Sequence, residues 1–163
     1  MNSLNTLTLH MIKYYENDPK RIQHFIKVHS FAKLIAEGEA LDPETQFIVE
    51  IAAIVHDIGI KPAEEKYGSS NGELQEIEGP FAARKMLSEL GFEESVIKRV
   101  CYLVAHHHTY VDIDTVDYQI LVEADFLVNL YEDGLNKKAA LTAYDKIFKT
   151  DCGKRICHTM FCI

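Results

Sequence analysis

The segment Ile51-Ala52-Ala53-Ile54-Val55-His56-Asp57-Ile58-Gly59 decides the fold of this 163-residue chain. An apolar run this dense predicts an element that is buried on nearly all sides. The run ends in an imidazole and a carboxylate, and burying even a neutral polar group without a partner costs about 2–7 kcal/mol. The two groups therefore either satisfy each other at a helix end or bind a metal ion, and the rest of the chain bears on that choice.

Helical signals dominate the remaining sequence, and strand-type alternation is absent. Asp18-Pro19 and Asp42-Pro43 each place a capping residue before a proline at the first helical position. Residues 60–78, which are rich in turn-forming residues, are predicted to form one long loop. The chain is predicted to be an all-α, single-domain helical bundle over residues 1–163, with helices at 4–16, 18–37, 42–57, 79–90, 93–107, 116–132, 136–148 and 151–161.

Composition narrows the range of partners. The net charge of −8 argues against nucleic acid or an anionic membrane as a partner, whereas a bound cation would still allow an anionic small substrate. No apolar stretch approaches the roughly 20 residues of a membrane span, and no secretion signal is recognisable, so a cytoplasmic location is expected. The four cysteines contain no C-x-x-C pair and are expected to be free thiols in a reducing compartment.

The second predicted helix carries a histidine on its apolar stripe. Val28, Phe31 and Ile35 recur at helical spacing, and four residues before Val28 the stripe reaches His24. His29 follows His24 by five residues, which is about 140° around a helix of 3.6 residues per turn. His24 is therefore predicted to point inward, and His29 to lie off the inward stripe.

Two later helices repeat this pattern. Val100 and Val104 belong to a stripe that continues to His107, and Asp125 lies on the same face as Leu121 and Val128. A single such residue is typical of a satisfied core group, but four elements with the same feature are difficult to explain by packing. Two imidazoles and two carboxylates suit a divalent metal of intermediate hardness, and a site with few protein ligands leaves positions for water.

In their order and local sequence these residues resemble the HD-domain superfamily of metal-dependent phosphohydrolases. The similarity covers about residues 20–130 and rests on three segments: Arg21-Ile22-Gln23-His24, Val55-His56-Asp57-Ile58-Gly59 and Glu123-Ala124-Asp125. The resemblance implies that His24, His56, Asp57 and Asp125 hold a first metal ion.

The resemblance also implies an optional second ion, bridged by Asp57 and held by two more histidines. One of these normally stands three residues before a glycine that opens a helix, and this chain has Glu76 there, ahead of Gly79. Glu76 is interpreted either as a carboxylate ligand, with Glu78 as a substitute, or as a solvated loop acid. The other histidine corresponds to a position in the triplet His106-His107-His108, where stripe geometry favours His107, followed by His108.

The function implied by the resemblance is hydrolysis of a phosphate ester or anhydride in a nucleotide or another small phosphorylated metabolite. One or two divalent ions (Fe, Mn, Ni, Co, Zn or Mg) would activate the attacking water, with His56, Asp57 and Lys61 as the catalytic residues. Lys61 is a candidate for contacting the substrate phosphate, and Arg84 and Tyr110 are further substrate-binding candidates. The alternatives are a diiron oxygenase of the same superfamily and a domain that binds metal or nucleotide without turnover.

Overall fold

Every regular element in residues 3–163, the part of the chain that the computed structural model describes, is an α-helix. This confirms the predicted all-α class. The helices share one hydrophobic core. Their bounds are α1 Ser3–Tyr14, α2 Pro19–Gly38, α3 Pro43–Val55, α4 Ile60–Tyr67, α5 Gly72–Glu89, α6 Glu94–Val104, α7 Val116–Glu132, α8 Lys137–Lys146 and α9 Asp151–Phe161.

Helix α3 lies at the centre of the molecule. It packs against α1, α2, α6 and α7, and every residue from Val49 to Val55 is buried. This environment explains why the second half of α3 is almost entirely apolar. Because α3 is enclosed in this way, the turn that follows it at His56 and Asp57 is held between neighbouring helices.

Helices α2 and α3 begin at the two Asp-Pro pairs, as predicted. The carboxylate of Asp18 accepts from the backbone N–H of Arg21, and that of Asp42 accepts from the N–H groups of Glu44 and Thr45, each at 3.0 Å. These bonds satisfy amides that have no partner within the helix. They fix the starts of α2 and α3, two of the elements that supply the candidate site.

The prediction of one long loop over residues 60–78 was wrong. Helix α4 fills Ile60–Tyr67 and ends at Gly68, whose φ of +69° is the left-handed conformation that commonly ends a helix. Helix α5 then starts at Gly72, where the side chain of Asn71 accepts from Leu74 N–H. Smaller differences occur at four helix ends, since α1 stops at Tyr14, α3 at Val55, α6 at Val104 and α8 at Lys146.

The predicted helix start at Gly79-Pro80 was also wrong, because Pro80 lies inside α5. A proline within a helix costs about 3 kcal/mol or more, and packing opposes this cost. The buried residues of α5 recur every four positions, at Gln75, Gly79, Ala83 and Leu87. This stripe faces α6 and the turn after α3.

Gly59 allows the turn after α3 to approach α5 closely. A Cβ atom at Gly59 would lie 2.5 Å from the carbonyl oxygen of Gln75 and 2.8 Å from the amide nitrogen of Gly79. Both are backbone atoms that cannot move aside independently of the helix. The glycine two residues after Asp57 thus permits a backbone contact, and this contact brings α5 beside the candidate site. None of the helices in residues 3–163 is both long and apolar enough to cross a membrane.

Candidate metal centre

Four side chains from three parts of the fold converge at the end of α3. His24 comes from α2, His56 and Asp57 from the turn after α3, and Asp125 from α7. His24 Nε2 lies 3.2 Å from both His56 Nε2 and Asp125 Oδ1. Asp57 Oδ2 lies 3.4 Å from each of the two Nε2 atoms, and His56 Nε2 is 3.6 Å from Asp125 Oδ1. Ligand atoms at about 2.1 Å from a tetrahedral metal are separated by about 3.4 Å. The spacing of His24, His56 and Asp57 fits an ion, and Asp125 Oδ1 lies within 3.6 Å of both imidazoles.

Hydrogen bonds fix which nitrogen of each imidazole faces this centre. His24 Nδ1 lies 2.9 Å from a carboxylate oxygen of Glu132, and His56 Nδ1 lies 2.9 Å from the carbonyl oxygen of Ala53. Both partners only accept hydrogen bonds, so each Nδ1 carries a proton and donates it. In the neutral imidazoles the two Nε2 lone pairs then face each other, an arrangement that a proton or a metal cation must stabilise.

We call His24, His56, Asp57 and Asp125 the first pole of the site. A second pole lies on the other side of Asp57. His107 Nδ1 donates to the carbonyl oxygen of Val104 at 2.8 Å, which leaves Nε2 as a lone-pair nitrogen. That Nε2 is buried and has no hydrogen-bond partner among the described residues, and it lies 3.5 Å from Asp57 Oδ1. An orphaned buried nitrogen of this kind fits a missing ligand. Asp57, His107 and His108 form a second group whose potential ligand atoms lie within 4.8 Å of one another.

The structure brings Gln75, rather than Glu76, to this second pole. Gln75 Nε2 donates to the carbonyl oxygen of Ser70 at 2.6 Å, so Oε1 is the atom that faces His108 Nε2 at 3.1 Å. Burial, and next the neighbouring His107, lowers the pKa of His108 to about 4. His108 is therefore neutral at physiological pH, donates from Nε2 to Gln75 and keeps its lone pair on Nδ1.

Glu76 holds the turn that carries the two histidines. Its carboxylate accepts from the backbone N–H of His108 at 2.9 Å and from the hydroxyl of Thr109 at 3.1 Å. Glu78, the other carboxylate considered, is bound instead to Lys66 and Tyr67, each at 2.8 Å. Neither acid joins the groups of potential ligands found among the described residues.

Comparison with known proteins agrees with this geometry. The family model described as HD domain matches residues 21–149, a range that contains every residue of both poles. The chain belongs to the HD domain family. The fold is similar to that of a predicted HD superfamily hydrolase from an uncultured Thermotogales bacterium, with a TM-score of 0.66 and 25% sequence identity. The match covers 98% of this chain and 83% of that one. Comparison with curated protein sequences gives no significant match.

We call the two poles together the HD centre. Other residues hold the potential metal ligands of this centre in place. Tyr15 donates from its hydroxyl to the carbonyl oxygen of Asp57 at 2.6 Å, and Asn129 donates from its amide to Asp125 Oδ1 at 2.9 Å. Tyr118 donates to the carbonyl oxygens of the turn at residues 106 and 109. Glu132, which orients His24, also binds Lys27 at 2.5 Å. Loss of such outer contacts typically lowers metal affinity by about 10- to 100-fold.

The sequence-predicted substrate residues lie at different distances from the HD centre. Tyr110 packs against Phe126 of α7 with ring centroids 5.0 Å apart, and burial, followed by the charge of Asp125, raises its pKa to about 12. Lys61 is exposed, lies over the ring of Tyr14 and shares a neighbouring cavity of about 290 Å³ with Arg21. Arg84 forms an exposed ion pair with Glu94 at 2.8 Å, between α5 and α6.

The other histidines are engaged elsewhere. His29 contacts the buried carboxylate of Glu50 at 2.9 Å, and so lies off the centre as predicted. His106 stacks on Tyr102 with ring centroids 4.3 Å apart, which leaves His107 and His108 as the members of the triplet at the second pole.

Without an ion, protons on the histidines balance the buried carboxylates of the HD centre. Burial opposes protonation of His24 and His56, but the carboxylates of Asp125 and Asp57 outweigh this effect. They raise the pKa of His24, and they raise the pKa of His56 well above 6.5. Burial likewise disfavours ionised Asp57 and Asp125, but the neighbouring histidines hold the pKa of each carboxyl well below its usual range. A divalent ion would replace these protons, because metal ligands must be unprotonated.

Metal binding is therefore expected to stabilise the protein more as the pH rises. The protonated histidines stabilise the metal-free protein fully below the unfolded-state pKa of about 6.5, and this contribution is lost as the pH rises through the higher folded-state values. Thermal unfolding with and without Zn²⁺ or Mn²⁺, at about pH 6 and about pH 8, measures the effect. The metal-induced rise in Tm should be larger at the higher pH, and a rise that shrinks would contradict proton displacement.

Proposed function

We propose that this HD domain is a metal-dependent hydrolase that acts on a phosphate ester or anhydride of a nucleotide or another small phosphorylated metabolite. The observation that carries the proposal is the inward direction of three imidazole Nε2 atoms around the two oxygens of Asp57. A purely structural His-Asp pair would not leave the buried His107 Nε2 without a partner. The hydrolase name of the structural neighbour supports the same class.

The residues have separate tasks in this proposal. His24, His56, Asp57 and Asp125 hold the first ion, and Asp57 with His107 and His108 is suited to hold a second. A bound divalent ion lowers the pKa of water toward about 7 and offsets charge on the phosphoryl oxygens. Asp57 faces both poles, with Oδ2 toward His24 and His56 and Oδ1 toward His107, so this single side chain fixes their relative position.

Tyr110 is proposed to contact the substrate from the solvent side. Its side chain is partly exposed. The phenol is protonated at neutral pH, and burial, followed by the charge of Asp125, raises its pKa further, to about 12. A protonated phenol donates a hydrogen bond to an anionic oxygen. Tyr110 is therefore suited to bind a phosphate oxygen or a hydroxyl group of the substrate.

The size of the cavity and the net charge of the chain favour a small substrate. The cavity beside the centre has a volume of about 260 Å³, close to the lower end of the roughly 300–1,000 Å³ of ligand pockets. The chain carries a net charge of −8, which disfavours a polynucleotide. We therefore propose a compact phosphorylated compound and neither nucleic acid nor membrane as the partner.

The test is phosphate release from nucleotides and phosphorylated metabolites by metal-stripped protein to which one divalent ion is returned at a time. Mn²⁺, Fe²⁺, Co²⁺, Ni²⁺, Mg²⁺ and Zn²⁺ are the ions to compare. We expect release with at least one ion and complete loss on addition of a chelator. Tyr110→Phe should weaken substrate binding without changing the metal content.

Two results would overturn this function. Release that survives chelation would exclude a metal-dependent reaction. An absence of release from every compound would leave the alternatives, and these are separable: oxygen consumption by the iron-loaded protein would indicate the oxygenase, and nucleotide binding without any turnover would indicate a non-catalytic domain.

A further inference from the structure

An apolar groove lies between α7 and α8, apart from the HD centre. We call it the α7–α8 groove; its volume is about 520 Å³, within the roughly 300–1,000 Å³ of small-molecule sites. Its apolar lining is formed by Phe126, Leu130, Leu135, Ala139, Ala143 and Ile147. None of these residues lines the cavity beside the HD centre, so the groove is a separate potential site.

Two lysines, Lys138 and Lys146, provide the charge of this groove, and the described residues of its lining include no acid. The two remaining polar side chains already support α8. The side-chain oxygen of Asn136 accepts from the N–H of Ala139 at 3.0 Å. The hydroxyl of Thr142 donates to the carbonyl oxygen of Lys138 at 2.9 Å. The groups that remain for a ligand therefore include both ammonium groups.

Neither lysine is neutralised by a neighbouring acid. Within residues 3–163, the lysines that form ion pairs are Lys13, Lys27, Lys33 and Lys66. Lys138 and Lys146 are not among them. The cavity between α1 and α5 also carries lysines, but its lining includes Glu89. The α7–α8 groove thus combines an apolar lining with positive charge alone, in a chain whose net charge is −8.

The two lysines lie at opposite ends of one side of α8. Lys138, Thr142 and Lys146 follow one another at intervals of four residues, which places them on the same helix face. At a rise of 1.5 Å per residue, Lys138 and Lys146 are about 12 Å apart along the axis. An elongated apolar body can therefore lie along the groove with an anionic group beside either lysine.

We propose that the α7–α8 groove binds a small amphiphilic anion, a compound with an elongated apolar body and one anionic group. The apolar contact supplies most of the affinity, and the lysines select an anionic head group over a neutral one. A ligand there would contact Phe126, whose ring packs against Tyr110 with centroids 5.0 Å apart. The site goes beyond the proposed function and does not depend on the reaction at the HD centre.

The test is calorimetric titration of the Zn²⁺-loaded protein with octanoate, hexanoate and acetate. Affinity should rise about fourfold for each buried methylene, and hence about 16-fold from hexanoate to octanoate. Acetate has the same carboxylate without the apolar body, so it measures any binding to the metal ion alone. The uncharged 1-octanol should bind more weakly than octanoate. Amide chemical shifts should place octanoate on α7 and α8.

Two variants change the groove itself. Ala139→Phe fills the groove and should abolish octanoate binding. Lys138→Glu combined with Lys146→Glu reverses the charge and should weaken binding on the order of 10-fold. Lys85→Glu combined with Lys98→Glu is the matched control, because it makes the same change in net charge at exposed positions outside the groove. The control should bind octanoate as the wild type does.

Three results would overturn the proposal: octanoate that binds no better than acetate, 1-octanol that binds as tightly as octanoate, or a charge-reversed groove with wild-type affinity for octanoate. The charge-reversed variant decides the outcome even if Ala139→Phe does not fold, because Lys138 and Lys146 are exposed and their replacement requires no repacking. A lack of phosphate release by the HD centre would overturn the proposed function and leave these binding results unaffected.

Discussion

Asp57→Asn is expected to abolish stoichiometric metal binding at both poles of the HD centre. Asp57 Oδ2 lies 3.4 Å from the Nε2 atoms of His24 and His56, and Oδ1 lies 3.5 Å from that of His107. An asparagine of the same shape removes the negative charge and turns an N–H₂ donor toward one of the poles. Elemental analysis of the purified variant, with circular dichroism to show that it remains folded, measures the result.

His29→Ala is the control for this change. His29 lies on the same helix as His24, but its ring contacts Glu50 and not the HD centre. The variant should retain the metal content and activity of the wild type. An Asp57→Asn protein that kept both stoichiometric metal and activity would contradict the assignment of Asp57 as the shared ligand.

Gly59→Ala should destabilise the fold and disturb the second pole. The added Cβ would fall 2.5 Å from the carbonyl oxygen of Gln75 and 2.8 Å from Gly79 N, so α5 must move away. Overpacking of this kind costs about 1–3 kcal/mol of the free energy of unfolding, measurable by chemical denaturation. Because α5 carries Gln75, which binds His108, metal binding at the second pole should also weaken.

Gly91→Ala separates this local effect from a general loss of stability. Gly91 has a φ of +75°, and a Cβ there would meet no atom within 4 Å. The substitution therefore strains the backbone of a turn without displacing α5. We expect lower stability with unchanged metal binding in this variant. If both glycine variants lost metal equally, the close contact at Gly59 would not be what positions the second pole.

The first pole could be located from sequence because each of its ligands follows a local rule. His24 and Asp125 continue apolar stripes of their own helices, and His56 and Asp57 follow the fully buried second half of α3. The structure brings these four residues together. The stripe of α5 extends from Gly79 back to Gln75, but Gly79-Pro80 has the pattern of a helix start, which hides the preceding turn of α5.

Two other parts of the site depend on information that periodicity does not contain. Helix α4 is short and carries Pro62, so its sequence is typical of a loop, although Gly68 is the left-handed residue that ends it. Glu132 contacts His24 across 108 positions of the chain, and Arg21 reaches Glu64 on α4. Such contacts follow from how helices pack against one another, which the sequence of one helix does not determine.

The position of bound metal tests the central claim most directly. Crystals of the protein loaded with Mn²⁺ or Zn²⁺, measured near the absorption edge of the metal, reveal the ion by its anomalous scattering. The first anomalous peak is predicted among His24 Nε2, His56 Nε2, Asp57 Oδ2 and Asp125 Oδ1, because both carboxylate oxygens lie 3.2–3.6 Å from the two imidazole nitrogens. Stoichiometric metal bound elsewhere in the molecule, with no peak among these four atoms, would contradict the account.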